Sequence, residues 1–221
     1  TVPDLALFLD AMAGFCPLDP MTYDAPAASY GAAVAAPTAP RRVAFAETIA
    51  GSPVDRETRE ICRAAMRHFE AMGAAVEEIR IDVDDLEDTT STLARAERAR
   101  AALYRRFARL FETYDLLVTP GANTPAFDVN LRHPEVIDGV RLTHYMGASL
   151  LTAAITLSAS PALSLPCGFD RHDRPLGLQL VGRPRGEAAL LAAGALYEQS
   201  AGLAGLVPID PRAGSVPPVD R

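Results

Sequence analysis

Residues Pro161 to Pro184 read PALSLPCGFDRHDRPLGLQLVGRP. Two apolar runs, 162–165 and 176–181, flank a polar stretch that ends in Arg174-Pro175. The pattern predicts two strands joined by a turn-rich loop, with Gly177 and Gly182 interrupting the second run. His172 sits in that loop beside Asp170 and Asp173, where turn chemistry accounts for all three residues.

Working outward, residues 143–157 predict an Ala-rich helix with no charge after His144, and so a helix buried on both faces. Residues 187 to about 200 predict a closing helix, and the Pro-rich end from 208 reads as frayed. Upstream, 115–119 reads as a short buried strand, followed by a Gly/Pro/Asn-containing loop over 120–132. A long helix over 93–114 carries Leu93, Ala96, Ala99, Leu103, Phe107, Leu110 and Phe111 on its core side. Residues 82–92 form an acidic loop.

Further upstream, 42–46 reads as a strand. Ser52-Pro53-Val54-Asp55 then gives a helix start with Ser52 as the cap. That helix presents Ile61, Ala65, Phe69 and Met72 to the core, and 76–81 is the next strand. The unit is β-α-β, which argues for a parallel pair in an α/β sheet. Residues 17–40, rich in Pro, Ala and Ser, read as a connecting arm. Residues 1–14 read as the tail of an uncapped amphipathic helix, with Leu5, Phe8, Leu9 and Met12 on one face and Gly14 at its end.

Composition narrows the chemistry. A net charge of −7 gives no global reason to expect nucleic-acid binding, and the apolar runs fall short of a membrane span. Three widely spaced cysteines without a CxxC read as reduced thiols, which suggests the cytoplasm. All 21 basic residues are arginine. Without lysine, this chain cannot supply a P-loop, a Schiff base, a Ser-Lys dyad or an SxxK nucleophile. No G-x-S-x-G elbow occurs; Gly147-Ala-Ser149 lies within a helix and Ser149 reads as a packing residue.

Metal sites fare no better. His133-Pro134-Glu135 followed by Pro166-Cys167 is similar to the zinc-deaminase pattern, but Asp170 stands where the second cysteine is needed. No metal and no cofactor is expected. His68 reads as solvated on the charged side of its helix. The arginines at 95, 98, 105, 106 and 109 read as a solvated stripe, interspersed with Glu97 and Glu112.

Five segments, in order, resemble the amidase-signature family of amide hydrolases. They are Thr1-Val-Pro-Asp-Leu-Ala-Leu7; Ala13-Gly-Phe-Cys-Pro-Leu-Asp-Pro20, with Cys16 where the family usually has Asp; Tyr114-Asp-Leu-Leu-Val-Thr-Pro120 with Thr124-Pro-Ala-Phe127; Ser160-Pro-Ala-Leu-Ser-Leu-Pro-Cys-Gly168; and Leu176-Gly-Leu-Gln-Leu-Val-Gly182. One departure stands out. Thr156-Leu-Ser-Ala-Ser-Pro161 replaces the family's N-L-x-G-x-P, changing hydrogen bonding and backbone freedom at that corner.

The resemblance implies part of the family's α/β/α sandwich with a mixed sheet, incomplete in this chain. Residues 1–221 would then be the C-terminal portion of a single amidase domain: an arm over 1–40, a body over 41–200 and a tail over 201–221. The family hydrolyses carboxylic amides with a Ser–cis-Ser–Lys triad, whose members precede the region this chain resembles. The implied role is therefore sheet and pocket wall with no catalytic residue here, and inactivity for the chain alone. Thr119, Thr124, Tyr145, Thr156 and Ser158 are the candidates for that wall.

The implied partners are the N-terminal half of the domain and a small-molecule amide, with no nucleic acid, no membrane and a homo-oligomer possible. The substrate could be an aliphatic or aryl amide, a ureido acid or a charged tRNA in an amidotransferase. A second reading makes the chain a non-catalytic α/β binding or scaffolding module. It expects a monomer with a satisfied surface, whereas the first expects uncovered strands and apolar area.

Overall fold

A computed structural model describes residues 1–19, 21–83, 93–142 and 145–203. Most of the acidic 82–92 loop, His144 and the Pro-rich end lie outside the described residues. The elements run α1 (Val2–Met12), α2 (Tyr30–Ala35), β1 (Arg42–Phe45), α3 (Arg56–Ala64), α4 (Arg67–Ala71), β2 (Ala75–Glu78), α5 (Leu93–Thr113) and β3 (Leu116–Pro120). They continue with β4 (Val136–Ile137), β5 (Val140–Arg141), a 3-10 turn (Tyr145–Ser149), α6 (Leu150–Leu157), β6 (Ala162–Phe169), β7 (Pro175–Val181) and α7 (Glu187–Ser200).

Among the described residues, five strands form one mixed sheet in the order β2-β1-β3-β7-β6. β1 lies parallel to β2, as the β-α-β pattern predicts, and also parallel to β3, while β7 runs antiparallel to both β3 and β6. Strand alternation sends successive side chains to opposite faces, and two cores result. Val43, Phe45, Leu116, Val118, Leu163, Leu165, Leu178 and Leu180 pack against α1, α2, α3, α4 and α7. Ala44, Leu117 and Val181 pack under α5 and α6 through Leu103, Phe107, Phe111, Ala154 and Ile155. The molecule is an α/β/α sandwich.

The hairpin of 162–181 forms as read, with both strands longer than their apolar runs. Asp170 organises its loop: buried, its carboxylate accepts from the His172 amide at 2.9 Å and the Arg174 amide at 2.8 Å. Arg174 Nε donates to the same carboxylate at 2.6 Å. Burial pushes the Asp170 carboxyl upward, but these hydrogen bonds outweigh it and hold the group down at about 2.

Several local expectations are corrected. The helix at the start is capped, since Thr1 Oγ1 accepts from the Asp4 amide while the Asp4 carboxylate accepts from the Thr1 amino group. Its core face is Val2 and Ala6, with Leu9 half-buried, because these residues face α2 and α7; Leu5, Phe8 and Met12 point outward. The arm contains α2. The helix after β1 begins three residues late, with Asp55 as its cap, because Ser52 is drawn into a buried bond with Asn123. It also breaks into α3 and α4 around Ala65 and Met66.

His68 is only partly solvated. It is half-buried, its Nδ1 lies 2.9 Å from Ser200 Oγ, and its ring packs edge-on against Tyr197. Burial, with the nearby Arg67 charge, lowers its basicity. The uncharged helix is buried on one side only: Leu151, Ala154 and Ile155 are covered and Thr156 is exposed. Among the described residues, no helix is long and apolar enough to cross a membrane.

Candidate functional site

The carboxyl ends of β1 and β3 open toward one end of the sheet, where α/β proteins place their ligands. Two loops are stitched together there. Asn123 Nδ2 donates to Ser52 Oγ and to the Pro53 carbonyl, both at 2.7 Å, and the Asp55 amide donates to the Asn123 carbonyl at 2.7 Å. Asn123 Oδ1 is buried and accepts no hydrogen bond among the described residues. Gly121 follows β3 with its amide 2.8 Å from the Gly177 carbonyl. A Cβ at 121 would sit 3.0 Å from that oxygen, so glycine is what lets this loop lie against β7.

Thr119 is fully buried on β3. Its hydroxyl donates to the Pro120 carbonyl at 3.1 Å and lies 3.5 Å from Gln179 Oε1. The sheet register aligns Thr119 with Gln179 on β7, and Gln179 with Ser164 on β6. These three polar residues make a row across three strands on the α5/α6 face of the sheet. The row grades from buried Thr119 through half-buried Gln179 to exposed Ser164. Sequence reasoning misses the two outer residues, though Gln179 is the one large polar residue inside the apolar 176–181 run.

The other candidates are placed elsewhere. Thr124 is half-buried in the loop after β3, one residue from the Asn123 joint. Thr156 and Ser158 lie at the end of α6, near the opposite end of the sheet, where β6 begins. Their hydroxyls turn back to helix carbonyls, Thr156 to Thr152 at 3.1 Å and Ser158 to Ile155 at 2.7 Å. Tyr145 opens the 3-10 turn before α6. The structure thus brings Thr119 and Thr124 to one region and separates Thr156 and Ser158 from them.

None of the five is among the residues lining two cavities, although the second opens beside Thr156 and Ser158. One of about 430 Å³ sits between α2, the arm and α7, lined largely by alanines with Arg41 and Asp115 at its rim. Another of about 310 Å³ lies between α5 and the end of α6, with Glu97, Arg100 and Tyr104 in its wall. Among the described residues, no cluster of three or more His, Cys, Asp or Glu is placed to hold a metal.

One edge of the sheet is open among the described residues. β6 pairs only with β7, and Ala162, Ser164 and Pro166 on its α5/α6 side are exposed. On α1 and the segment after it, Leu7, Phe8, Met12, Phe15 and Leu18 are also exposed, Phe8 at 63% and Leu18 at 92%.

Comparison with known proteins gives this geometry a context. The amidase family model matches residues 82–191. A glutamyl-tRNA(Gln) amidotransferase subunit from Moorella thermoacetica is 29% identical across 90% of this chain and 52% of its own length. An acylamidase from Rhodococcus erythropolis is 27% identical across 90% of this chain and 50% of its own. A bacterial aryl acylamidase of the amidase-signature enzymes superposes with a TM-score of 0.75 at 20% identity, over 90% of this chain and 51% of that one. The chain spans about half the length of the curated relatives it matches.

Proposed function

Because the chain belongs to the amidase-signature family, we propose that it is the C-terminal part of an amidase domain that hydrolyses the C–N bond of carboxylic amides. In this reading, residues 1–221 supply sheet and one wall of the substrate pocket. The Ser–cis-Ser–Lys machinery belongs to the half that completes the domain, since this chain has no lysine to act as the base. Thr119 and Thr124, at the carboxyl end of β3, are the wall residues we favour among the five candidates, joined by Gln179. The substrate would be a small-molecule amide, and the setting the cytoplasm.

The observation that carries the reading is the open β6 edge together with the exposed apolar face of α1. An edge strand with free backbone groups and uncovered apolar side chains calls for a covering element, and the relatives are about twice as long as the region they share with this chain. The scaffolding-module alternative expects instead a surface already satisfied, and the exposed Phe8, Met12 and Leu18 speak against it.

The test compares this chain alone with the same chain joined to the polypeptide that precedes it in its gene, using release of an arylamine from an anilide. Turnover is expected only from the joined form. Hydrolysis by the isolated chain would sink the proposal, as would a joined form that folds and has no amidase activity. Self-association of the isolated chain through the same surface is a further outcome, read by sedimentation. A second reading follows from the relatives named as glutamyl-tRNA(Gln) amidotransferase subunits: the freed ammonia would be passed to an acceptor. Glutamine-dependent amidation of glutamyl-tRNA, without net ammonia release, would favour it over simple hydrolysis.

A further inference from the structure

Cys62 and Cys167 stand 105 residues apart in sequence, yet their sulfurs lie 3.9 Å apart in the fold. Cys62 projects from α3 and is fully buried, with its Sγ 3.8 Å from the Gly177 carbonyl. Cys167 lies near the end of β6 and is half-buried. We propose that these two cysteines are a reversible oxidation site, at which a hydroperoxide drives formation of a disulfide joining α3 to the edge strand β6. The inference rests on this geometry and does not depend on what reaction the chain serves.

Three features favour bond formation. First, the sulfurs already touch, and a disulfide of about 2.05 Å needs a closure of less than 2 Å shared between two elements. Second, the β6–β7 register shifts between Pro166 and Gly168, leaving Cys167 without a partner in the ladder. A bulge is a point where the strand can re-aim a side chain. Gly168, at φ +149°, brings the strand hard against α3: a Cβ there would meet Ile61 Cγ2 at 3.1 Å. Third, the two thiols are unequal. The Cys62 thiol is pushed up by its contact with Cys167 and by burial, and the same contact lowers Cys167. The more acidic thiol is also the more accessible one, as a peroxide-reactive cysteine requires.

The chemistry balances with hydrogen peroxide as the oxidant. The Cys167 thiolate attacks one peroxide oxygen, the O–O bond breaks, and a sulfenic acid and hydroxide result. The Cys62 sulfur then attacks the sulfenic sulfur and the S–O bond breaks. The departing hydroxide leaves as water with the Cys62 proton. Two thiols lose two electrons and one peroxide becomes two waters.

Trypsin separates the cysteines cleanly, because cleavage after arginine places Cys16 in a peptide that ends at Arg41, Cys62 in 60–63 and Cys167 in 142–171. The polypeptide as its gene encodes it is treated with peroxide under native conditions, capped with iodoacetamide and digested. The expected product is peptide 60–63 disulfide-linked to 142–171, lost on reduction and retained in Cys16→Ser. In Cys62→Ser, the same treatment followed by dimedone should instead label Cys167 as a sulfenic acid. If the Cys62→Ser protein fails to fold, the linked peptide in the Cys16→Ser protein still decides the matter. Overturning results are oxidation confined to Cys16, disulfides only between molecules, or dimedone-labelled Cys167 with Cys62 still free in the Cys16→Ser protein.

Discussion

Helix α7 lies on the sheet through a notch at Gly194, and the substitution Gly194→Ala separates two effects of similar size. A Cβ placed there would fall 2.4 Å from Leu163 Cδ2, 3.6 Å from Leu165 Cδ1 and 3.7 Å from Val2 Cγ2. Alanine in place of glycine inside a helix is worth about 1 kcal/mol. Forcing a methyl into a filled core costs about 1–3 kcal/mol. The clashing atom is the end of a flexible side chain, so the cost belongs in the middle of that range, leaving the variant about 1 kcal/mol less stable. Leu163 lies on the edge strand with 8% exposure, so Leu163→Ala alone should cost about 2–3 kcal/mol, the low end for a buried leucine. It also removes the atom that the new methyl would strike. In that background Gly194→Ala should stabilise by about 1 kcal/mol, a coupling of about 2 kcal/mol in a double-mutant cycle. Urea denaturation of the four proteins measures it. If Gly194→Ala stabilises the parent protein, or if the two changes simply add, α7 does not sit on β6 as described.

Asp55→Ala removes the cap of α3, where the carboxylate accepts from the Thr58 amide at 3.0 Å, and should lower stability by about 1 kcal/mol while Asp55→Asn loses less. Asn123→Ala unties the loops after β1 and β3; a loss of about 1–3 kcal/mol in urea denaturation is expected because the buried Ser52 hydroxyl and Pro53 carbonyl lose their donor. For His68 the folded-state basicity is lowered, so below about pH 6.5 the unfolded chain binds the proton more readily and stability falls as acid is added. His68→Gln should flatten that part of a pH–stability profile. Asp170 has its carboxyl depressed to about 2: its contribution is present above the ordinary carboxyl range and is lost as pH falls toward 2. The acid limb should therefore move in Asp170→Asn.

The elements that could be read from sequence are those in which local periodicity and burial agree. β1, β3, α5 and the 162–181 hairpin carry apolar patterns that their two-sided or one-sided burial demands, and the β-α-β order sets β1 parallel to β2. Reading fails where a competing contact decides the outcome. Ser52 resembles a cap but is claimed by Asn123, a residue 71 positions away. Periodicity assigns the face of α1 by its largest apolar side chains, whereas its docking on α2 and α7 selects small Val2 and Ala6. The thiol pair is not legible from spacing either, because nothing local brings residue 62 to residue 167.

The candidate site shows why its residues are only half legible. Thr119 stands out because it lies near the end of a buried strand, ahead of a Gly/Pro loop. Gln179 and Ser164 acquire meaning only through register, since each faces the same side as Thr119 once three strands from distant parts of the chain are aligned. Parity is the useful signal here. In the 176–181 run, Leu176, Leu178 and Leu180 hold one face, and glutamine occupies the alternate face where Val181 is already buried under α6. A large carboxamide on the inner face of a sandwich needs a polar partner or an opening, and the row supplies both: the Thr119 hydroxyl at one end and exposed Ser164 at the other. The exposed end of the row, Ser164, lies on the strand that pairs with β7 alone among the described residues.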